Sequence, residues 1–218
     1  MRTPLAGRLR RRNHREVAFA QDVLVDEAYD AYETCVLHGG TAIWRCYGGT
    51  RFSEDLDAYL PGATPEMDSR FRRGVAAKGG KERKFKRTSS TVFAKFEIGG
   101  GEASFEGAVR EPPGKEVSGW ETLEGGRVMV AVVPPDELLA EKASAYADGR
   151  KVRDLYDVLF LTGVAPGGEK ARGAVRSLLD GYEPPVDEAE LKALVLAGAV
   201  PTAEEMLEAL ERWGRRST

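Results

Sequence analysis

The stretch VLHGGTAIWRCYGGTRFSEDLDAYL, Val36 to Leu60, decides how the chain is read. Cys35 to His38 is short and apolar and runs into Gly39-Gly40, which predicts a buried strand closing in a tight turn. Thr41 to Tyr47 reads as a helix that starts at that turn and stops at Gly48-Gly49. Asp55 to Leu60 reads as a second strand, closed by Pro61-Gly62. A strand, two glycines, a threonine and a helix N-terminus together form an anion site. The glycines admit close backbone approach, and the first N–H groups of the helix point outward. The same residues also make an ordinary strand-to-helix turn, and the turn alone does not choose between the two.

The second half of the stretch narrows the choice. Asp55 and Asp57 lie two apart, so on a strand both project from one face, while Leu56 turns to the other. Paired carboxylates repel unless a cation lies between them. A hard divalent ion such as Mg²⁺ takes carboxylate and phosphate oxygens together. The competing reading is a solvated acidic strand end. Arg51 and Ser53, between the turn and the pair, are suited to phosphate contact. In the competing reading they are a surface ion pair and a turn hydroxyl.

Working outward, Asn13 to Thr34 has helical apolar spacing, with Asn13 as N-cap and Glu16 as its capping-box acid. Pro65 to Ala77 is helical. Phe85 to Ile98, Glu102 to Val109 and Arg127 to Val133 read as extended, with Gly99-Gly100-Gly101 as a hairpin turn. After Pro135 the pattern turns helical. It breaks near Gly149 and ends in a segment with a Thr202/Glu205 capping box, stopped by Gly214. The chain is therefore expected to be α+β, with a mixed α/β domain over 1–134 and a helical domain over 135–218.

With 218 residues and 42% hydrophobic composition, a real core is affordable in one domain or two small ones. A net charge of −3 excludes little. Basic residues gather in RLRRRNHR (Arg8–Arg15) and KGGKERKFKR (Lys78–Arg87). Each run reads either as an RNA phosphate contact or as a solvated arm or hairpin tip. Two cysteines, Cys35 and Cys46, are too few for a disulfide framework. A charged N-terminus and the lack of a membrane-length apolar run lead us to expect a cytoplasmic protein with reduced thiols and no membrane contact.

The register Gly39, Gly40, Thr41, Ala42, then Arg51, Ser53, Asp55, Leu56 and Asp57 resembles the first motif of the AbiEii/AbiGii toxin family. These are nucleotidyltransferase-like proteins of the DNA polymerase beta-type superfamily. The sequence departs at His38, where a lysine is frequent, and at Ala58, where an aromatic is common. Two further elements extend the resemblance to about Leu161. AKFE supplies Lys95 and Glu97 at the position of the family's Lys-x-Glu/Asp element. EKASAYADGRKVRDLYDVLFL resembles the family's helical signature through Lys142, Arg150, Arg153, Asp154 and Asp157.

The resemblance implies a nucleotidyltransferase fold, a mixed sheet flanked by helices, followed by a C-terminal helical bundle. It implies transfer of a nucleoside monophosphate from an NTP to an acceptor. Asp55, Asp57 and Glu97 would hold Mg²⁺ or Mn²⁺. Gly39, Gly40, Thr41, Arg51, Ser53, Lys95 and Lys142 would hold the nucleotide, with Asp157 orienting Lys142. It further implies the toxin of a type IV-like toxin–antitoxin pair, with tRNA or another RNA as acceptor and a cognate antitoxin as partner. Two alternatives share the scaffold: kinase-like γ-phosphoryl transfer, and a catalytically silent nucleotide or RNA binder.

Overall fold

The structure is a computed structural model that describes residues 3–215. It divides into two compact units. One carries the chain up to Cys46 and again from Ser53 to Val132; the other holds Tyr47–Phe52 and the chain from Val133 onward. Among the described residues no helix is long and apolar enough to cross a membrane.

The first unit begins with a one-turn helix α1 (Leu5–Arg8) and a long helix α2 (Arg12–Ala31). Helix α2 starts two residues earlier than an Asn13 cap would place it. Arg11 occupies the cap with no side-chain bond, and Arg12 pairs with Glu16 instead (2.7 Å). Strand β1 (Val36–His38), helix α3 (Gly39–Tyr47), strand β2 (Leu56–Tyr59) and helix α4 (Pro65–Ala77) follow, close to the expected bounds. Five strands come next: β3 (Lys81–Arg87), β4 (Thr91–Ile98), β5 (Gly101–Ala108), β6 (Glu116–Glu121) and β7 (Arg127–Val132). The expected single stretch from Phe85 to Ile98 is two strands, because Thr88 accepts from the amides of Ser90 and Thr91 and folds the chain back. Strand β6 is an addition; its glycine and lack of apolar alternation hide it in the sequence.

The seven strands form one mixed sheet in the order β3-β4-β5-β2-β1-β7-β6. Strand β2 is central, antiparallel to β1 and parallel to β5. On one face, helices α2 and α4 pack over β4 and β5. The core there is aromatic: Phe71 lies 4.8 Å from Phe105 and meets Phe96 edge-on at 5.8 Å. Helix α2 approaches the sheet closely enough that a side chain at Gly101 would stand 2.3 Å from the Glu16 backbone carbon, so only glycine fits there. The opposite face of β3–β5 carries the polar alternates Lys84, Lys86, Lys95, Ser104 and Glu106, together with Phe93.

A buried polar network ties α2, α3 and the entry to β2 together. The Arg45 side chain has no exposure, pairs with Asp22, and donates to the Glu121 carbonyl (2.7 Å). Its guanidinium lies 4.2 Å from the Trp120 ring centroid. Asp22 also accepts from the Trp120 indole and the Leu123 amide, both at 2.8 Å. Gln21 accepts from Arg45 (3.2 Å) and donates to the carbonyls of Ser53 (2.8 Å) and Glu54 (2.9 Å).

The second unit is helical: α5 (Pro135–Gly149), α6 (Val152–Leu161), α7 (Glu169–Asp180), a short α8 (Leu191–Leu194) and α9 (Ala203–Arg215). Helices α5, α6, α7 and α9 pack on one another over Leu138, Leu155, Val175 and Leu210. The expected capping box of the last helix forms, with Thr202 and Glu205 bonding reciprocally. That helix runs through Gly214 to Arg215 rather than stopping at the glycine.

Asp22→Ala should destabilise the first unit by about 3 kcal/mol, because it strands a fully buried guanidinium. Chemical denaturation followed by tryptophan fluorescence reads this directly.

Candidate active site

The apolar β1 and β2 pair in the register Val36↔Tyr59, Leu37↔Ala58 and His38↔Asp57. The chain then turns into α3 through Gly39, whose φ is +71°. The Asp57 carboxylate lies over that turn: a Cβ at Gly39 would come within 2.2 Å of Asp57 Oδ2. Gly39 is therefore required twice, by its left-handed backbone and by the carboxylate packed against its Cα. Asp55 is exposed just before β2.

Across β2 on the other side, parallel pairing sets Asp57 opposite Glu106 of β5. Both lie on the face away from α2 and α4. Partial desolvation, followed by the charges of Asp57 and then Asp55, raises the pKa of the Glu106 carboxyl. Mutual repulsion of this kind is relieved by a bound cation. The oxygen donor set suits a hard divalent ion. Among the described residues no three His, Cys, Asp or Glu side chains stand close enough together to enclose an ion. The carboxylates converge by register and charge without forming a closed chelate.

This register corrects the expectation for Glu97. It pairs with Glu102 in the β4–β5 ladder, at the far end from Asp57, and forms an ion pair with Arg83. Strand β4 meets Glu106 at Phe93, four residues away from Glu97. Glu106 occupies the position assigned to Glu97. Its signal in the sequence is the alternation Glu102, Ser104, Glu106 on the polar face of β5. Lys95 lies on that same face opposite Ser104 and is paired with Glu102.

Three expected nucleotide contacts, Thr41, Gly40 and Arg51, are buried. Thr41 is fully buried, and its hydroxyl donates to the Asp55 carbonyl (2.5 Å), pinning the approach to β2. Gly40 is buried in the first turn of α3. Ser53 is half-buried and held through its carbonyl by Gln21. Arg51, in the second unit, is buried and grips Asp157 with two bonds: Nε to Oδ1 at 2.9 Å and Nη2 to Oδ2 at 2.7 Å. It also donates to the Phe52 carbonyl (2.9 Å). Its position follows from the bonds of Phe52 N to Leu194 O (2.9 Å) and Leu196 N to Thr50 O (2.8 Å), which bind Thr50–Phe52 to the end of α8.

Lys142 and Asp157 do come together, as the resemblance implied. Lys142 Nζ lies 3.1 Å from Asp157 Oδ2 and 2.7 Å from Asp154 Oδ1. Two of the ammonium's three donors are thus engaged. Burial by itself would lower the Lys142 pKa, but Asp157 and Asp154 outweigh it and raise it, so the lysine stays charged. Burial by itself would raise the Asp157 pKa, but Arg51 and then Lys142 outweigh it and lower it. Asp157 forms ion pairs with both Lys142 and Arg51. Arg153 and Arg150 have no part in this cluster; Arg150 pairs with Glu183.

The family model described as "Nucleotidyl transferase AbiEii toxin, Type IV TA system" matches residues 22–212. The chain belongs to the AbiEii toxin family. It is a nucleotidyltransferase with the α+β architecture of that family. Among solved structures it is similar to JHP933 from Helicobacter pylori, with 21% identity over 90% of each chain and a TM-score of 0.62. It is also similar to MenT4, a nucleotidyltransferase toxin of Mycobacterium tuberculosis H37Rv. That match has 21% identity over 93% of this chain and 83% of MenT4, with a TM-score of 0.60. No curated protein matches the sequence. The AbiEii match spans both units, taking in Asp55, Asp57, Glu106, Lys142 and Asp157.

Three outcomes are expected. Glu106→Gln should abolish activity, whereas Glu97→Gln should leave it within about twofold. A carboxyl with a raised folded-state pKa stabilises the fold only at low pH, and that contribution is lost as pH rises through its folded value. The metal-free protein should therefore lose stability with rising pH in a way that Glu106→Gln abolishes, read as melting temperature against pH. For Arg51→Met, the deficit should be about 3 kcal/mol at neutral pH, where Asp157 is ionised and buried, and should shrink as pH falls below 4.

Proposed function

We propose that the protein is a divalent-metal-dependent nucleotidyltransferase that adds a nucleoside monophosphate from an NTP to an RNA acceptor, with tRNA as the first candidate, and acts as the toxin of a type IV-like pair with a cognate antitoxin. The observation that carries this reading is the register of Asp57 against Glu106 beside the Gly39 turn. It puts paired carboxylates from neighbouring strands next to a helix N-terminus suited to phosphate.

In this reading an acceptor hydroxyl attacks the α-phosphorus in line. A new phosphorus–oxygen bond forms, the bond to the bridging oxygen breaks, and pyrophosphate leaves. Mg²⁺ or Mn²⁺ would be held by the neighbouring pair Asp57 and Glu106 and would supply charge neutralisation of the triphosphate and acidity for the acceptor hydroxyl. The amides at the start of α3 receive phosphate oxygens. Within the helical unit, Asp157 and Asp154 hold the Lys142 ammonium, and Arg51 grips Asp157. Membership of the AbiEii nucleotidyltransferase family supports the α-phosphorus reaction over γ-phosphoryl transfer.

The test is incubation of the protein with each α- or γ-labelled nucleotide, total tRNA and Mg²⁺. Label from the α position is expected in RNA, and none from the γ position. Asp57→Asn should reduce incorporation at least 10³-fold without lowering the melting temperature, and should relieve growth inhibition on expression. Label delivered only from the γ position, or an active Asp57→Asn protein, overturns the reading.

A further inference from the structure

Strand register aligns five side chains in a single row across the sheet: Lys86↔Phe93 between β3 and β4, Phe93↔Glu106 between β4 and β5, Glu106↔Asp57 between β5 and β2, and Asp57↔His38 between β2 and β1. Neighbouring strands are about 4.8 Å apart, so Phe93 stands about 10 Å from Asp57 with Glu106 between them. Phe93 is half-buried and lies on the side of the sheet opposite α2 and α4. Lys84 Nζ lies over that ring, 5.2 Å from its centroid. Lys84 and Lys86 are exposed at the edge of the sheet, and no ion pair engages either among the described residues.

The two ends of this row differ in chemistry. Beyond Asp57 lie His38, the Gly39 turn and the N-terminus of α3. Beyond Glu106 lie an aromatic ring and then two ammonium groups. In-line displacement requires the leaving pyrophosphate and the attacking oxygen on opposite sides of the α-phosphorus. The glycine turn accounts for the triphosphate on one side of the carboxylates. The attacking strand must then arrive from the other, where an aromatic face and a lysine edge are the features that hold a single-stranded polynucleotide.

We infer that the face formed by Phe93, Lys84 and Lys86 is the acceptor-strand site: the 3′-terminal base of a single-stranded RNA stacks on Phe93, phosphates lie on Lys84 and Lys86, and the terminal hydroxyl points toward Glu106 and Asp57. This rests on the nucleotidyltransferase reading with RNA as acceptor. It assigns a role to the KERKFKR run as edge strand β3: Lys84 and Lys86 face the site, while Phe85 and Arg87 turn to α4, where they meet Arg72 and Asp68.

The experiment measures fluorescence polarisation of a 5′-labelled ten-nucleotide single-stranded RNA with the full chain, without nucleotide. Phe93→Ala should weaken binding about tenfold, and Phe93→Tyr should retain it. Lys84→Ala/Lys86→Ala should flatten the slope of log affinity against log salt by about 1.4. Melting temperature and nucleotide affinity should be unchanged in all three, and the KM for RNA in α-label transfer should rise in Phe93→Ala while the KM for NTP holds. RNA labelling by Phe93→Ala and by the lysine pair at wild-type KM overturns this site and leaves the proposed function standing. Wild-type RNA binding that needs Phe93, with no label transfer to any RNA, leaves an RNA-binding face and overturns both its role as acceptor site and the proposed RNA acceptor. A wild-type protein that does not bind the oligomer overturns the site, including the case in which label appears on protein.

Discussion

Parallel pairing of β2 with β5 is the constraint on which the functional face depends. Strand β2 is four residues long, yet it lies at the centre of the sheet with a neighbour on each side. Antiparallel to β1, it puts Asp57 over the turn that opens α3; parallel to β5, it sets the same residue against Glu106. A slip of one residue in either ladder would turn the carboxylate into the core. The bonds around β2 guard against that slip. Thr41 holds the Asp55 carbonyl, and Gln21 holds the carbonyls of Ser53 and Glu54. Gln21 is itself fixed by Arg45, whose charge is buried against Asp22 and a tryptophan ring. The interior polar network therefore orients backbone leading to the site without supplying any group that reacts.

The two units treat charge in opposite ways. In the helical unit Arg51 and Lys142 face Asp154 and Asp157, two positive groups against two negative, nearly out of solvent. Every carboxylate there has a partner, which fixes geometry. On the sheet, partial desolvation and then the charges of Asp57 and Asp55 raise the pKa of the Glu106 carboxyl. One cluster is electrostatically complete, and the other gains by taking up positive charge.

Much of this was legible locally. Gly39, Asp55 and Asp57 were readable because turn, strand and alternation are all short-range signals, and the helical elements followed from spacing and caps. What failed was non-local. Glu97 and Glu106 both alternate onto the polar face of their hairpin, and only the pairing of β5 with β2, about fifty residues apart in the chain, selects Glu106. Thr41 and Arg51 have side chains suited to phosphate, but burial gave them to Asp55 and Asp157. The Gln21–Arg45–Asp22–Trp120 network gathers residues from three elements, and none of its members has a pattern of its own. The basic run at Lys78–Arg87 read either as an RNA phosphate contact or as a hairpin tip, and pairing with β4 makes Lys81–Arg87 an edge strand.

The sheet has two open margins of unlike character. Strand β3 ends it with Lys81, Lys84 and Lys86 exposed, a charged border that discourages another chain from adding its backbone. Strand β6 ends it on the other side, where Val117 stands opposite Ala131 and the neighbouring Met129 is also bare to water. That border has far less repulsion to offer. Under conditions that loosen the fold, intermolecular strand addition is directed to β6, so colloidal stability is governed by the margin farthest from the lysines.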